Sequence, residues 1–190
     1  MFKDLVMKNR SCRGYDESKS VSEEEVKTLI SYTRYCPQAR NLQALKYLIV
    51  TDEKTVKFLQ ENTMFGGALA HLHLPFENEK PKTFIVVFED LSISDSPIYN
   101  AIDLGIAAQT ILLGAAEMGI SGIMIKAFKK DVVKKGLALA EHLDPTLIIP
   151  LGYSVEKTKI VDYESGSIAY YRDEENVHYV PKRKLEDIIL

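Results

Sequence analysis

From Ser96 to about Met118 the chain reads as one long helix that is apolar almost all the way round. Ser96 is placed to cap it, Pro97 suits the first turn, and Gly119 stands just past its end. Leu104, Ala108, Ile111 and Ala115 fall on one side, and Ile102, Ile106 and Leu113 cover much of the other. A helix with no wide polar face must be covered on every side. The rest of the chain therefore has to be built around it. Two arrangements satisfy that need: the centre of a monomeric core, or a helix shared between a core and a subunit interface. Gly105 and Gly114 cost about 1 kcal/mol each against Ala, which close backbone packing would offset.

The flanking sequence supplies the layers. Phe2 to Asn9 reads as a short helix with Phe2, Leu5, Val6 and Met7 towards one face. Ser22 and Glu25 have capping-box spacing, and Val21 and Val26 that of a hydrophobic staple, so a second helix starts there and ends before Pro37. Lys46–Thr51 and Thr83–Phe88 are β-rich runs, with a helix from about Thr55 to Asn62 between them. Gly66-Gly67 marks a break, and residues 68–79 read as partly loop. Ile120–Lys126 and Leu147–Leu151 are the third and fourth strand candidates, separated by a helix over Lys129–Glu141. Pro150 points to a sheet edge or a strand end. Strands and helices alternate, which gives an α/β or a mixed α+β layered architecture. The 190 residues suit a single domain, 1–190, and an apolar share of 46% provides a sizeable core. The tail 153–190 mixes Tyr163, Tyr170, Tyr171 and Tyr179 with many charges. It is too aromatic to be disordered and too polar to make a core alone. It reads as an arm packing on a partner subunit.

Composition narrows the function. A net charge of -3 argues against a nucleic-acid binder. No apolar run approaches the roughly 20 residues of a membrane span, and the first residues carry no apolar signal region, so no membrane partner is expected. Two cysteines, Cys12 and Cys36, with no pairing pattern fit a reducing, cytoplasmic setting. His71 and His73 lack a third ligand, so no metal is expected. Cys12 has no histidine beside it and reads as a small residue in a binding loop. No dinucleotide fingerprint, phosphate loop or nucleophile elbow is present. Asp103 and Glu117 form no carboxylate pair suited to hydrolysis. What remains is cationic. Arg10, Ser11 and Arg13 lie near one terminus and Lys182, Arg183 and Lys184 near the other. Brought together, they would grip a phosphate. Phosphate anchors without a catalytic side chain describe a cofactor enzyme, in which the cofactor does the chemistry.

The segments Asn9–Tyr15 (NRSCRGY), Pro37–Gln43 (PQARNLQ), Gly105–Gly114 (GIAAQTILLG), Gly119–Gly122, Leu151–Tyr153 and Pro181–Lys184 (PKRK) resemble, in order and spacing, the nitroreductase family of FMN-dependent oxidoreductases. The resemblance spans nearly the full length. It implies a mixed α+β fold, a mainly antiparallel sheet flanked by helices in three layers, with the C-terminal arm over the partner subunit. It implies a homodimer with FMN at the interface. Arg10, Ser11 and Arg13 would be the first flavin-binding segment, and Pro37, Gln38, Asn41 and Gln43 would line the flavin of the partner subunit. Ile125 and Lys126 would bring backbone groups to the ring, and Lys182 with Lys184, or Arg183, would close on the phosphate. Asn78 is the candidate of the 64–80 loop for the pyrimidine edge. Asn9, Gln38 and Ala44 depart from the family pattern, where a second basic residue, a small Ser and a Pro are common. The implied reaction takes hydride from NAD(P)H and reduces a nitro compound, a quinone or a similar small acceptor. The open alternatives are flavin fragmentation or dehalogenation on the same fold, a non-catalytic flavin-binding dimer, and an interaction domain whose basic ends meet acidic partners.

Overall fold

The structure, a computed structural model, describes residues 1–190 apart from the side chain of Ala68. The β-rich runs fold into one antiparallel sheet. Its strands are β1 (Leu45–Val50), β2 (Thr83–Asp90), β3 (Ser121–Gly122) and β4 (Leu143–Gly152), in the order β1-β2-β4-β3. β2 and β4 are apolar on both faces, so both faces must be covered. Alternation along β2 divides them: Ile85 and Val87 join one cluster with Ala107, Ile111 and Leu29, and Phe84 and Val86 join the other with Val56, Leu59 and Val133. The first cluster lies under α2 (Glu23–Tyr32) and α4 (Pro97–Glu117), the second under α3 (Glu53–Asn62) and α5 (Lys130–Leu137). The result is a three-layer α+β fold.

Local signals explain the boundaries. Glu25 N donates to Ser22 Oγ at 3.3 Å and Ser22 N donates back to Glu25 Oε2 at 2.8 Å, closing the capping box of α2. Val21 and Val26 are both buried beside it. α5 stops at Leu137, four residues short of the predicted end, because Ala138 turns left-handed at φ 48°. The predicted third strand is broken. Only Ser121–Gly122 pairs continuously with β4, and Ile125 rejoins it by a single bridge to Ile148. Pro150 explains the gap. Ile148 exchanges both backbone hydrogen bonds with Ile125, so Pro150, two residues on, points its missing donor to that same side. β4 lies inside the sheet, and the proline sits near its end where that ladder lapses.

The long helix is covered by its own chain on one side only. Leu104, Ala107, Ile111 and Ala115 are buried, whereas Ile98 and Ile102 are 71% and 54% exposed. By length and composition α4 would suffice to cross a bilayer, but half of that window is buried within the protein. The short first helix α1 (Phe2–Lys8) buries none of its residues. Beyond Tyr153 the chain returns to its own body. Strands β5 (Thr158–Asp162), β6 (Tyr171–Arg172) and β7 (His178–Lys182) form a small sheet in the order β5-β7-β6, with β5 parallel to β7. Val177 and His178 are buried, while Leu185, Ile188 and Ile189 beyond Lys184 are exposed.

Candidate functional site

The segment Arg10–Tyr15 runs beside β3. Ser11 bridges Gly122, and Cys12 N donates to Gly122 O at 3.1 Å. This extended conformation sends Cys12 into the core, and burial pushes its thiol up to about 12, with the nearby Glu156 carboxylate adding to the rise. Cys12 is therefore no nucleophile. On β7, His178, Val180 and Lys182 recur at period two and share one face. That face meets the Arg10–Arg13 segment and the side of α4 around Gln109 and Leu112. Between them opens a cleft of about 430 Å³, also lined by Met124 and Tyr170.

The cleft brings the two termini together. Arg10, Ser11, Arg13 and Lys182 all line it. Arg10 is anchored to the end of α1, its Nη2 donating to Val6 O at 2.8 Å and its Nε to Asn9 O at 2.6 Å. That placement puts a cation where α1 leaves carbonyls unpaired. Arg13 is 6% exposed, yet among the described residues no carboxylate lies within ion-pairing distance of its guanidinium. Its Nη1 donates to Ser11 O at 3.2 Å and lies 3.3 Å from His178 Nε2. The Tyr170 ring lies 4.7 Å from the guanidinium carbon. Arg13 Nε and His178 Nδ1 are buried without a hydrogen-bond partner among the described residues. Burial depresses the His178 pKa to about 4, with the charges of Arg13 and Arg172 adding to the effect, so the ring is neutral near pH 7. The segment is fixed from behind by Glu156. One of its oxygens accepts from Arg13 N at 2.7 Å, and the other pairs with Arg172 in a buried ion pair.

The other predicted site residues lie elsewhere in the chain. Gln38 and Gln43 line a separate hollow with Tyr47 and Lys46, and Asn41 and Pro37 are exposed near it. Asp103, buried on α4, accepts from Ala39 N at 2.8 Å and holds that loop. Ile125 is buried in the core and Lys126 is exposed; neither lines the cleft, and Met124 takes the place on its wall. Arg183 packs over Tyr163 at 5.3 Å, and Lys184 starts an exposed turn, so Lys182 is the member of the late cluster that faces the cleft. Asn78 is exposed in a turn at φ 68°. Among the described residues no group of three His, Cys, Asp or Glu could hold a metal. Sequence reasoning missed Tyr170, His178 and Gln109. The alternation His178-Val180-Lys182 carried the signal for His178, and Gln109 is a polar interruption in an otherwise apolar stretch of α4.

Fold and cleft together define a three-layer α+β protein with a cationic cleft assembled from its two termini. The chain belongs to the nitroreductase family, whose model matches residues 6–153. It is 23% identical over 154 residues to a protein of Archaeoglobus fulgidus provisionally named an NADH dehydrogenase/NAD(P)H nitroreductase, an alignment covering 78% of this chain and 83% of that one. A nitroreductase family protein of Streptococcus pneumoniae TIGR4 superposes with a TM-score of 0.72 at 20% identity, over 100% of this chain and 99% of that one. A protein of Exiguobacterium sibiricum 255-15, provisionally named a nitroreductase and solved in complex with FMN, superposes at 0.69 and 18% identity, over 82% and 89%. At these identities the structural likeness speaks for the fold.

Proposed function

We propose that the protein is an FMN-dependent oxidoreductase that takes hydride from NAD(P)H and reduces a small acceptor such as a nitro compound or a quinone. The observation that carries this reading is the buried Arg13 guanidinium, which among the described residues meets no carboxylate and keeps Nε unpartnered, in a cleft that also holds Arg10 and Lys182. A buried cation without a counter-charge is costly unless a ligand supplies one. The donor set is cationic, with hydroxyl and amide groups beside it, and fits a phosphate together with the polar edge of a flavin. The FMN held by the Exiguobacterium protein supports that choice. When bound, FMN supplies a two-electron carrier between nicotinamide and acceptor. Arg10 and Lys182 bind its phosphate, and Arg13 places positive charge at the ring edge. Tyr170 shields that end of the cleft from water.

The working unit is a homodimer. The outer face of α4 exposes Ile98, Tyr99 and Ile102, α1 exposes Phe2 and Met7, and the C-terminal turn exposes Ile188 and Ile189. So much apolar surface on a small protein calls for a partner, and a second copy closes the set by two-fold symmetry. The Pro37–Gln43 loop then reaches the flavin of the partner subunit, and the residues beyond Lys182 form the arm. Purified protein released by heat should yield FMN on chromatography. NAD(P)H should bleach the bound chromophore, and a quinone should restore it. FAD, or no flavin uptake after reconstitution, overturns the proposal.

A further inference from the structure

The groups that finish the cleft lie outside the stretch that the family model matches. That stretch ends at residue 153, whereas His178 and Lys182 come from β7 of the small sheet that follows and Tyr170 stands just before β6. Among them His178 has an arrangement with one chemical solution. Its Nε2 lies 3.3 Å from Arg13 Nη1. A guanidinium nitrogen only donates, so Nε2 must accept, and a neutral ring then carries its proton on Nδ1. That Nδ1–H is buried and has no partner among the described residues. A buried donor without an acceptor is costly, and native structures seldom leave one unmet without a functional reason.

We propose that His178 is a positioning residue for Arg13: as the Nδ1–H tautomer it accepts from Nη1 and holds the guanidinium in the cleft. The inference rests on the flavin reading of the cleft and adds which group steers its central cation. Its neighbours prepare the ring for this role. Tyr170 packs on it with ring centroids 5.3 Å apart and also lies against the Arg13 guanidinium. Arg13 and Arg172 oppose a second positive charge there, and Glu156 is already engaged by Arg172 and by Arg13 N.

The first test reads the ring in the wild-type protein. In protein labelled with nitrogen-15 at histidine, with His178→Gln giving the assignment, the His178 resonances should show a neutral ring protonated at Nδ1 at pH 7. An Nε2–H tautomer or an imidazolium overturns the proposal. The second test compares FMN binding. His178→Phe keeps a ring of similar size and removes both nitrogens, and should raise the FMN dissociation constant about tenfold or more. It should also make the midpoint potential of bound flavin more negative, because the Arg13 charge is no longer held in place. His178→Gln keeps a neutral acceptor and donor and should stay within about threefold of wild type in affinity. Wild-type affinity and potential in the Phe variant overturn the proposal, as does a Gln variant as weak as Phe. Should the Phe variant fail to fold, the tautomer measurement decides. If wild-type protein takes up no flavin, the cofactor reading falls, and the tautomer still tests the link between His178 and Arg13.

Discussion

The two regions expected to touch the cofactor behave differently within one chain. The terminal cations meet: Arg10, Arg13 and Lys182 line one cleft although more than 160 residues of sequence separate the first from the last. The Pro37–Gln43 loop does not join them. It lies over another hollow, tethered to Asp103, with Arg40, Asn41 and Gln43 held at φ 53°, 55° and 56°. Left-handed backbone at a non-glycine residue costs of order 1–3 kcal/mol and persists where the surroundings impose it. The cleft is therefore assembled within one chain, by its own strand pairing. The loop is a shaped, polar surface beside a hollow of its own. In the dimer we propose, each loop completes the cleft of the other subunit.

The largest expected effect tests the cleft. Arg10→Ala with Lys182→Ala should weaken FMN binding about a hundredfold or more, since each charge-assisted contact is worth roughly 1.5–3 kcal/mol. The apo fold should keep its circular dichroism. Unchanged affinity by fluorescence titration would show that the two termini do not meet at the phosphate. The loop is then tested by complementation. A heterodimer of an Arg10→Ala/Lys182→Ala subunit with a Gln38→Ala/Asn41→Ala subunit carries every defect in one cleft if the loop serves the partner. The other cleft is intact, and one tightly bound flavin per dimer is expected. If the loop served its own chain, both clefts would be damaged and no tight flavin would remain.

Much of this was legible from residue patterns alone. The capping box at Ser22 and Glu25, the Ser96-Pro97 start of α4 and the apolar strands β2 and β4 are local signals, and local signals survive folding unchanged. The terminal cations were legible because Arg and Lys gathered in a slightly acidic chain stand out. Three features were not. The third strand breaks because Pro150 of a different strand withholds a donor, which no window around Ile120–Lys126 reveals. The approach of Met124, in place of Ile125, to the cleft follows from that break. Tyr170 and His178 escape because the tail reads in sequence as a single arm, and its alternation has meaning only once β7 has a sheet to join.

A smaller effect separates the two glycines of α4, which the sequence treats alike. A Cβ at Gly114 would stand 2.8 Å from the Tyr32 ring, inside one chain. At Gly105 it would meet nothing within 4 Å. Gly114→Ala should therefore destabilise the fold by about 1–3 kcal/mol through overpacking. Gly105→Ala in an isolated chain should gain up to about 1 kcal/mol of helix propensity. In the dimer we propose, the bulkier Gly105→Leu should instead lower the association constant, as read by light scattering over a dilution series. A dimer indifferent to Leu at 105 would place the interface elsewhere.

The smallest effect is a pH dependence that belongs to the cleft and not to the loop. The His178 pKa is depressed from an ordinary 6.5 to about 4 by burial and by its arginine neighbours. Between those values the unfolded chain binds a proton at this ring that the folded chain does not. Stability from this group is thus present above pH 6.5 and is lost as the pH falls towards 4. Asp16, held down to about 2 by Ser18 and Lys19, titrates below that window. The apo protein should lose a few degrees of Tm between pH 7 and pH 5, and His178→Gln should lose less over the same interval. The difference between the two slopes isolates the ring from the other three histidines, whose contributions are common to both proteins. Parallel slopes would mean that His178 is solvated when folded, and the cleft would then be open at its floor, like the surface of the Pro37–Gln43 loop.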